Sequence, residues 1–530
     1  MVGLSALLFL LPFVGMTHAA GTNFITGVLP PPPSGSTTKY NSAAEPAIRS
    51  DPSGTFYIAS ENGLGVGTDA WKSVDGGSSY LPLSQPDAIS SPGGIGTGFA
   101  PGGGDVDLAV ASIPFGQSAG SQYDVYAASL TVGSVTVSAS HDGGTTWQTN
   151  ELGAVVPADD RQWIAAYGST TYYVSYHNIA TGLQIIVNEG TLVDGVPTTV
   201  ETYPAINPLQ PDIYLGTIAN NQIGNIAVDQ KTGVVYQVFA GCGPGITMFL
   251  ACTSLNTIYV AVGVPTLSLS GQLLIGFTDY IVYQDVSSAN LANNFPNIAL
   301  DDAGNVYAAW SNGQNVYLSH SSDQGRRWSA PQQVNSSPAA TAIYPWIAAG
   351  SAGKVDVVYY GTPAAANLQT CQSSDGPYNC QNEPWYVFFA QSLSTLTGGQ
   401  WVEEQVTDVV HYGGICQGGI SCTSNGNNNR DLYDDFGVAF SPTTGLASIA
   451  YSNDQYSDIQ GTANAGLCSP SQTNTASCDH TDFATQVSGS GVRGSPALPL
   501  PVPIGGLLKV VPWNQLQLTM PTQRILHHRR

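Results

Sequence analysis

The sequence predicts an all-β fold assembled from repeated four-stranded units, and three observations carry that expectation. The first is composition. Of 530 residues only 9% are charged and 42% are hydrophobic, and there are 60 glycines, which reads as many short strands and tight turns around a real core. The second is a signature, Ser-x-Asp-x-Gly-x-x-aromatic, that occurs three times: Ser73 to Tyr80, Ser140 to Trp147 and Ser321 to Trp328. In each copy the Asp (Asp75, Asp142, Asp323) can accept amide hydrogens of its own turn, the Gly supplies a positive φ, and the aromatic closes the hairpin base. The third is a longer repeat: a short apolar strand, a polar turn carrying Asp or Gly, and a Tyr- or Val-rich strand.

Along the chain, residues 4–16 are an apolar run followed by Thr17-His18-Ala19-Ala20. A short apolar segment before small residues is expected to be a secretory signal peptide over 1–20. No later segment is apolar and long enough to cross a bilayer. Residues 21–42, with Pro30 to Pro33 and a Ser/Thr run, read as a linker. The repeat then fills 43–494. Clear copies are Ala47 to Tyr57, Asn225 to Tyr236, Asn297 to Tyr307, Trp346 to Tyr359 and Gly437 to Tyr451, with looser ones beginning at Asp107 and Trp163. Each copy supplies the first two strands of a four-stranded blade, and the Ser-x-Asp turn joins strands 3 and 4. Val187-Asn188-Glu189-Gly190 and Gly398-Gly399-Gln400-Trp401 read as relics of that turn. Seven copies predict a β-propeller of seven blades. Residues 495–530, Pro-rich at first and ending in His527-His528-Arg529-Arg530, read as a tail.

Aligning the first strands puts Ala109, Ala165, Ala227, Ala299, Ala348 and Ala439 at one position, where small side chains let blades approach near the axis. In the first repeat that position is Arg49. The scarce charges gather where first strands begin: Glu45, Asp105, Asp107, Asp159, Asp160, Arg161, and Arg430 to Asp435. Trp163, Trp310, Trp346 and Trp385 fit blade core, with sugar stacking at a rim as the alternative.

The net charge of −22 with only 14 basic residues gives no footprint for nucleic acid. The eight cysteines fall into close pairs, Cys242/Cys252, Cys371/Cys380, Cys416/Cys422 and Cys468/Cys478, each bracketing a loop. Local disulfides in an exported protein are the expectation, and the spacings do not suit zinc. Asn335-Ser336-Ser337 is a glycosylation sequon. Nucleophile-elbow, phosphate-loop and zinc-helix motifs are absent from the sequence.

The three Ser-x-Asp turns resemble the Asp-box, or BNR repeat, and the chain is similar to the sialidase-like β-propellers that carry it. The resemblance implies that Asp75, Asp142 and Asp323 are structural and lie on the face opposite the active site. It also brings six blades into play, the usual number in those sialidases, beside the seven counted. Sialidases hold a substrate carboxylate with three arginines, use a Tyr nucleophile paired with a Glu, and protonate with an Asp. Carried over, this implies Arg49, Arg161 and Arg430 as the triad, Tyr433 as nucleophile and Asp160 or Asp105 as acid, while the family's Arg-Ile-Pro motif is absent. Asp105, Asp107, Asp434 and Asp435 are expected ligand-binding groups, with Ca2+ as the one cation they suit and no other cofactor expected. The functional expectation is a secreted or cell-surface propeller that binds a carbohydrate or glycoprotein. An exo-acting sialidase-type hydrolase and a surface structural protein are the alternatives.

Overall fold

The computed structural model describes residues 23–493 except 37, 88–101, 117–121, 155–157, 211–212, 214, 245–253, 269–272, 366–382, 418–429 and 460–477. The expected signal segment 1–20 and tail 495–530 therefore lie outside the described residues, as do Cys252, Cys371, Cys380, Cys422 and Cys468. Cys242, Cys416 and Cys478 are disulfide-bonded, and the expected pairings stay expectations. Asn335 is buried and donates to Asn315 Oδ1 and Ala339 O, so its side chain is occupied in the fold.

Seven antiparallel sheets stand in a ring. The innermost strands are Ala44–Ser50, Val106–Val110, Asp159–Tyr167, Asn221–Val228, Asn297–Leu300, Thr341–Ala349 and Gly437–Phe440. Each contacts the next, and the seventh contacts the first. Blades 1 to 6 run outward in sequence order. Blade 7 does not. Its strands Ala447–Asn453 and His480–Gln486 are followed outward by Phe24–Val28 from the other end of the chain. That strand falls inside the stretch expected to be linker, which corrects the 21–42 boundary. Phe24 is fully buried with its ring 5.0 Å from Phe389, and Phe24↔Gln486 through Val28↔Asp482 are paired. The fourth strand of the last blade thus comes from the start of the chain, which closes the ring by joining the two ends of the propeller in one sheet.

The small residue of each inner strand faces a second-strand residue across the ladder. Ala109, Ala165, Ala227 and Ala299 pair with Tyr126, Tyr173, Tyr236 and Tyr307, and Arg49 pairs with Tyr57. The alternation that buries both faces of each blade thus leaves the axis narrow and the Tyr rings between blades.

The three Ser-x-Asp turns all join strands 3 and 4 and share one geometry. Asp142 Oδ1 accepts the Thr145 and Thr146 amides at 3.1 and 2.8 Å, and Oδ2 accepts the Thr146 hydroxyl at 2.7 Å. Asp75 and Asp323 accept the equivalent amides of Ser79 and Arg327 at 3.0 and 2.9 Å. Positive φ falls at Gly76 and Gly77, Gly143 and Gly144, and Gln324 and Gly325. Tyr80 and Trp147 are buried behind their turns. The segment Val187–Gly190 is no relic turn. It lies within the strand Gln184–Val193, and the hairpin tip is Asp194-Gly195, with φ of 51° and 82°, the primed-turn geometry that an Asp-Gly pair favours.

Candidate functional site

The inner strands all begin at one end of the ring, the mouth face, and finish at the end carrying the Ser-x-Asp turns. Several are bulged at their start. The register slips between Ala44 and Ala47, Asp160 and Gln162, Ile223 and Ile226, and Ile343 and Trp346. The extra residue turns a side chain inward, and non-glycine positive φ recurs there: Glu45 57°, Arg161 45°, Tyr344 55°, and Tyr433 55° in the loop before blade 7. Backbone held in the left-handed region by non-glycine residues costs about 1–3 kcal/mol each and clusters at functional sites.

The bulges of blades 1 and 3, with the loops entering blades 2 and 7, bring together residues from those four blades. Arg161, with its side chain 5% exposed, lies 2.7 Å from Glu45 Oε1, 2.6 Å from Asp435 Oδ2 and 3.6 Å from Asp105 Oδ2. Arg430 holds Asp434 through both terminal nitrogens, at 3.0 and 2.8 Å, and Asn294 donates to the same carboxylate at 3.0 Å. Asp160 is exposed at the rim and Tyr433 is half-buried. Glu61 completes the group; single oxygens of Glu45, Glu61 and Asp105 lie within 4.8 Å of one another. Carboxyls outnumber guanidiniums here. Burial pushes Glu45 and Glu61 well above the ordinary carboxyl range, with Arg161 pulling Glu45 back and Asp105 raising Glu61 further. Burial raises Asp435 to about 6 against the pull of Arg161. Burial, then Asp479 and Glu61, push the Tyr433 phenol well above its usual value, so it is a neutral hydroxyl at physiological pH.

Arg161 also ends an aromatic column. Its guanidinium carbon is 4.1 Å from the Trp163 ring centre and 4.7 Å from that of Phe295. Trp163 lies 5.5 Å from both Phe295 and Trp346. Arg49 caps the far end, 4.9 Å from the Trp346 ring. The three expected arginines are therefore not on one wall. Arg49 sits late in its strand beyond the aromatic plug, bonded to Asp107 Oδ1 at 2.5 Å, and lines a cavity of about 280 Å³ with Trp346, Asn225 and Gln230. Asp107, expected at the ligand site, is buried instead and accepts the Leu108 and Ile164 amides. It ties blades 1, 2 and 3 together. Trp163, Trp310, Trp346 and Trp385 are all buried, which places them in the core reading rather than at a rim.

Glu61 was missed by sequence reasoning, because it ends a second strand and no motif marks it. Its rarity in a chain so poor in charge was the available signal. A second group behind Tyr433 was missed in part: Asp431 lies in the charged run Arg430 to Asp435, but its buried companions His411, Asp454 and Asp479 carry no sequence mark.

Neither a protein-family model nor a curated protein matches the chain. Among solved structures it is similar to a protein of unknown function from Dyadobacter fermentans, at 11% identity and a TM-score of 0.41 over 86% of this chain and 96% of that one. It is similar to the Aleuria aurantia lectin, solved with a fucoside, at 13% and 0.37 over 69% and 94%. It is also similar to an α-L-arabinofuranosidase of Fusarium graminearum, solved with arabinobiose, at 14% and 0.40 over 63% and 92%. At these values the likenesses carry no activity or ligand to this chain.

Proposed function

We propose that this chain is an exported propeller, similar in its turns to the Asp-box proteins, that binds a carbohydrate at the mouth face. One observation carries the reading. In a chain with 9% charged residues, four blades deliver Glu45, Glu61, Asp105, Asp160, Arg161, Arg430, Asp434 and Asp435 to one mouth, Glu45 and Arg161 of them on bulges with positive φ. Carboxylates accept sugar hydroxyl hydrogens and guanidiniums donate to sugar oxygens, so a dense mixed cluster suits a polyhydroxylated ligand. Both mouth arginines are already paired with carboxylates, so the cluster favours a neutral sugar over an anionic one.

The test is a glycan array with the full chain, followed by titration calorimetry. Arg430→Ala and Glu61→Gln are expected to weaken binding at least about tenfold, which corresponds to about 1.4 kcal/mol, and Asp142→Ala on the opposite face to leave it unchanged. Equal loss in all three variants, or no binding by the intact chain, overturns the reading.

Hydrolysis is the second reading, favoured by one feature: carboxyls whose hold on a proton is strengthened by burial (Glu45, Glu61) stand near Asp434 and Asp435, which pair with Arg430 and Arg161, and general acid catalysis on a glycosidic bond uses carboxyls in such unlike settings. A three-arginine sialidase clamp is a poorer fit, because Arg49 is on the other side of the plug. Release of reducing sugar from neutral glycosides, lost in Glu61→Gln, supports this reading. Its absence with binding intact leaves a lectin.

A further inference from the structure

We propose that His411, Asp431 and Asp454 form a closed site for one divalent ion of the zinc or manganese class, which pins the loop carrying Arg430 and Tyr433 to blade 6. His411 pairs with Trp385 at the edge of blade 6. Asp454 follows the second strand of blade 7, and Asp431 lies in the loop entering that blade. The three are 0%, 0% and 2% exposed.

The tautomer is fixed by geometry. His411 Nε2 lies 3.0 Å from Gly414 O, which can only accept, so Nε2 carries a proton. Nδ1 then faces Asp454 Oδ2 at 2.8 Å and Asp431 Oδ2 at 4.0 Å. A second proton on the ring would satisfy Asp454 alone. Asp431 Oδ2 would stay without a partner, as it is here, although its residue is almost fully buried. A cation satisfies Nδ1 and both carboxylates together. The three ligand atoms lie within 4.8 Å of one another, so shifts of about an ångström bring them to the separations of about 3.3–3.6 Å that ligands about 2.0–2.2 Å from one tetrahedral centre have. A ring N–H donated to a backbone carbonyl is also the arrangement that orients metal-bound histidines.

Two further observations point the same way. Asp454 Oδ1 is held by Gln455 Nε2, which fixes the carboxylate. Asp479, 1% exposed, adds another buried carboxyl beside the Tyr433 hydroxyl, with no well-directed donor on either oxygen. An imidazole with carboxylates suits zinc or manganese; calcium prefers oxygen alone. Burial of every ligand makes the site one that holds structure rather than one that turns over substrate.

The experiment uses the full chain, stripped with EDTA, dialysed separately against Zn2+, Mn2+ or Ca2+, desalted, and measured by elemental mass spectrometry with melting in parallel. The expected result is about one Zn2+ or Mn2+ per chain and a melting temperature raised by several degrees, as binding to the folded state alone requires. Asp431→Asn and His411→Gln are expected to melt like the stripped wild type and retain less than about a tenth of the metal. No retained metal with unchanged melting overturns the proposal, leaving His411 as a buried imidazolium. So does full retention by either variant, or retention of Ca2+ alone. Should both variants fail to fold, anomalous scattering from wild-type crystals soaked in Zn2+ decides. A peak between the three ligand atoms supports the site and its absence refutes it.

Discussion

Replacing Arg161 with Met tests whether the mouth is an electrostatic unit. Met keeps most of the volume packed on Trp163 and removes the only cation within 4 Å of Glu45 and Asp435 among the described residues. Breaking a buried ion pair from one side costs about 3–5 kcal/mol, because the partner is left charged and unsolvated. That carboxylate can escape by taking a proton. For an Asp with an ordinary pKa near 3.9 this costs about 4 kcal/mol at pH 7 and about 1.5 kcal/mol at pH 5, at about 1.36 kcal/mol per unit. The two bounds agree on about 3–4 kcal/mol at pH 7, falling toward about 1.5 kcal/mol at pH 5. The sign follows from burial, which already raises Glu45 and Asp435 in the folded state. A raised carboxyl destabilises the fold above its unfolded pKa, and acidification through the folded pKa relieves that penalty, so the variant gains on the wild type as pH falls. At about 2.1 cal/mol/K of unfolding entropy per residue, the deficit is about 3–4 °C at pH 7. Paired thermal scans at pH 7 and pH 5 measure it, and Arg161→Met combined with Asp435→Asn should recover part of the loss. A deficit below about 1 kcal/mol at pH 7, or one that widens at pH 5, would refute the reasoning.

Other perturbations separate the scaffold from the mouth. Asp142→Ala removes the acceptor for the Thr145 and Thr146 amides and the Thr146 hydroxyl and should cost about 1–2 kcal/mol, read by denaturant midpoint. Burial raises the Asp142 carboxyl, but the Thr146 amide and hydroxyl and the Ser140 hydroxyl bring it below the ordinary value. Its contribution is therefore present above the unfolded pKa and lost as pH falls through the folded one, so wild type and variant should converge in acid. Phe24→Ala empties the closing strand of its one large buried ring and should cost about 3–5 kcal/mol; an unchanged melting temperature would mean that the strand does not close the ring in solution. Gly224→Ala puts a Cβ 2.0 Å from the Pro296 carbonyl oxygen, a clash of backbone on backbone, and should abolish soluble expression.

Much of this was legible without coordinates because it is local. A Ser-x-Asp turn satisfies its own amides within a few residues, so Asp75, Asp142 and Asp323 declare their hairpins wherever they occur. The strand-turn-strand copies repeat one hydrophobic pattern seven times, and the ring size follows from counting them. What stayed hidden depends on register, on closure and on partners far apart in sequence. Phe24–Val28 reads as an apolar end of a linker until it is paired with His480–Gln486, a contact across nearly the whole chain. Arg49 aligns with the inner alanines, yet its place late in the strand sends it beyond the aromatic plug, whereas a bulge turns Arg161 back toward the mouth. Asp107 resembles Asp105 in sequence, but two residues along a strand carry it from the rim into the core. Glu61, His411, Asp454 and Asp479 belong to no motif, and only the ring brings them to Tyr433. The sequence by itself thus determined the blade, its turns and the count, since each is fixed by interactions within tens of residues. The tertiary structure decided which charges meet, since that depends on where seven separate strands begin around one axis.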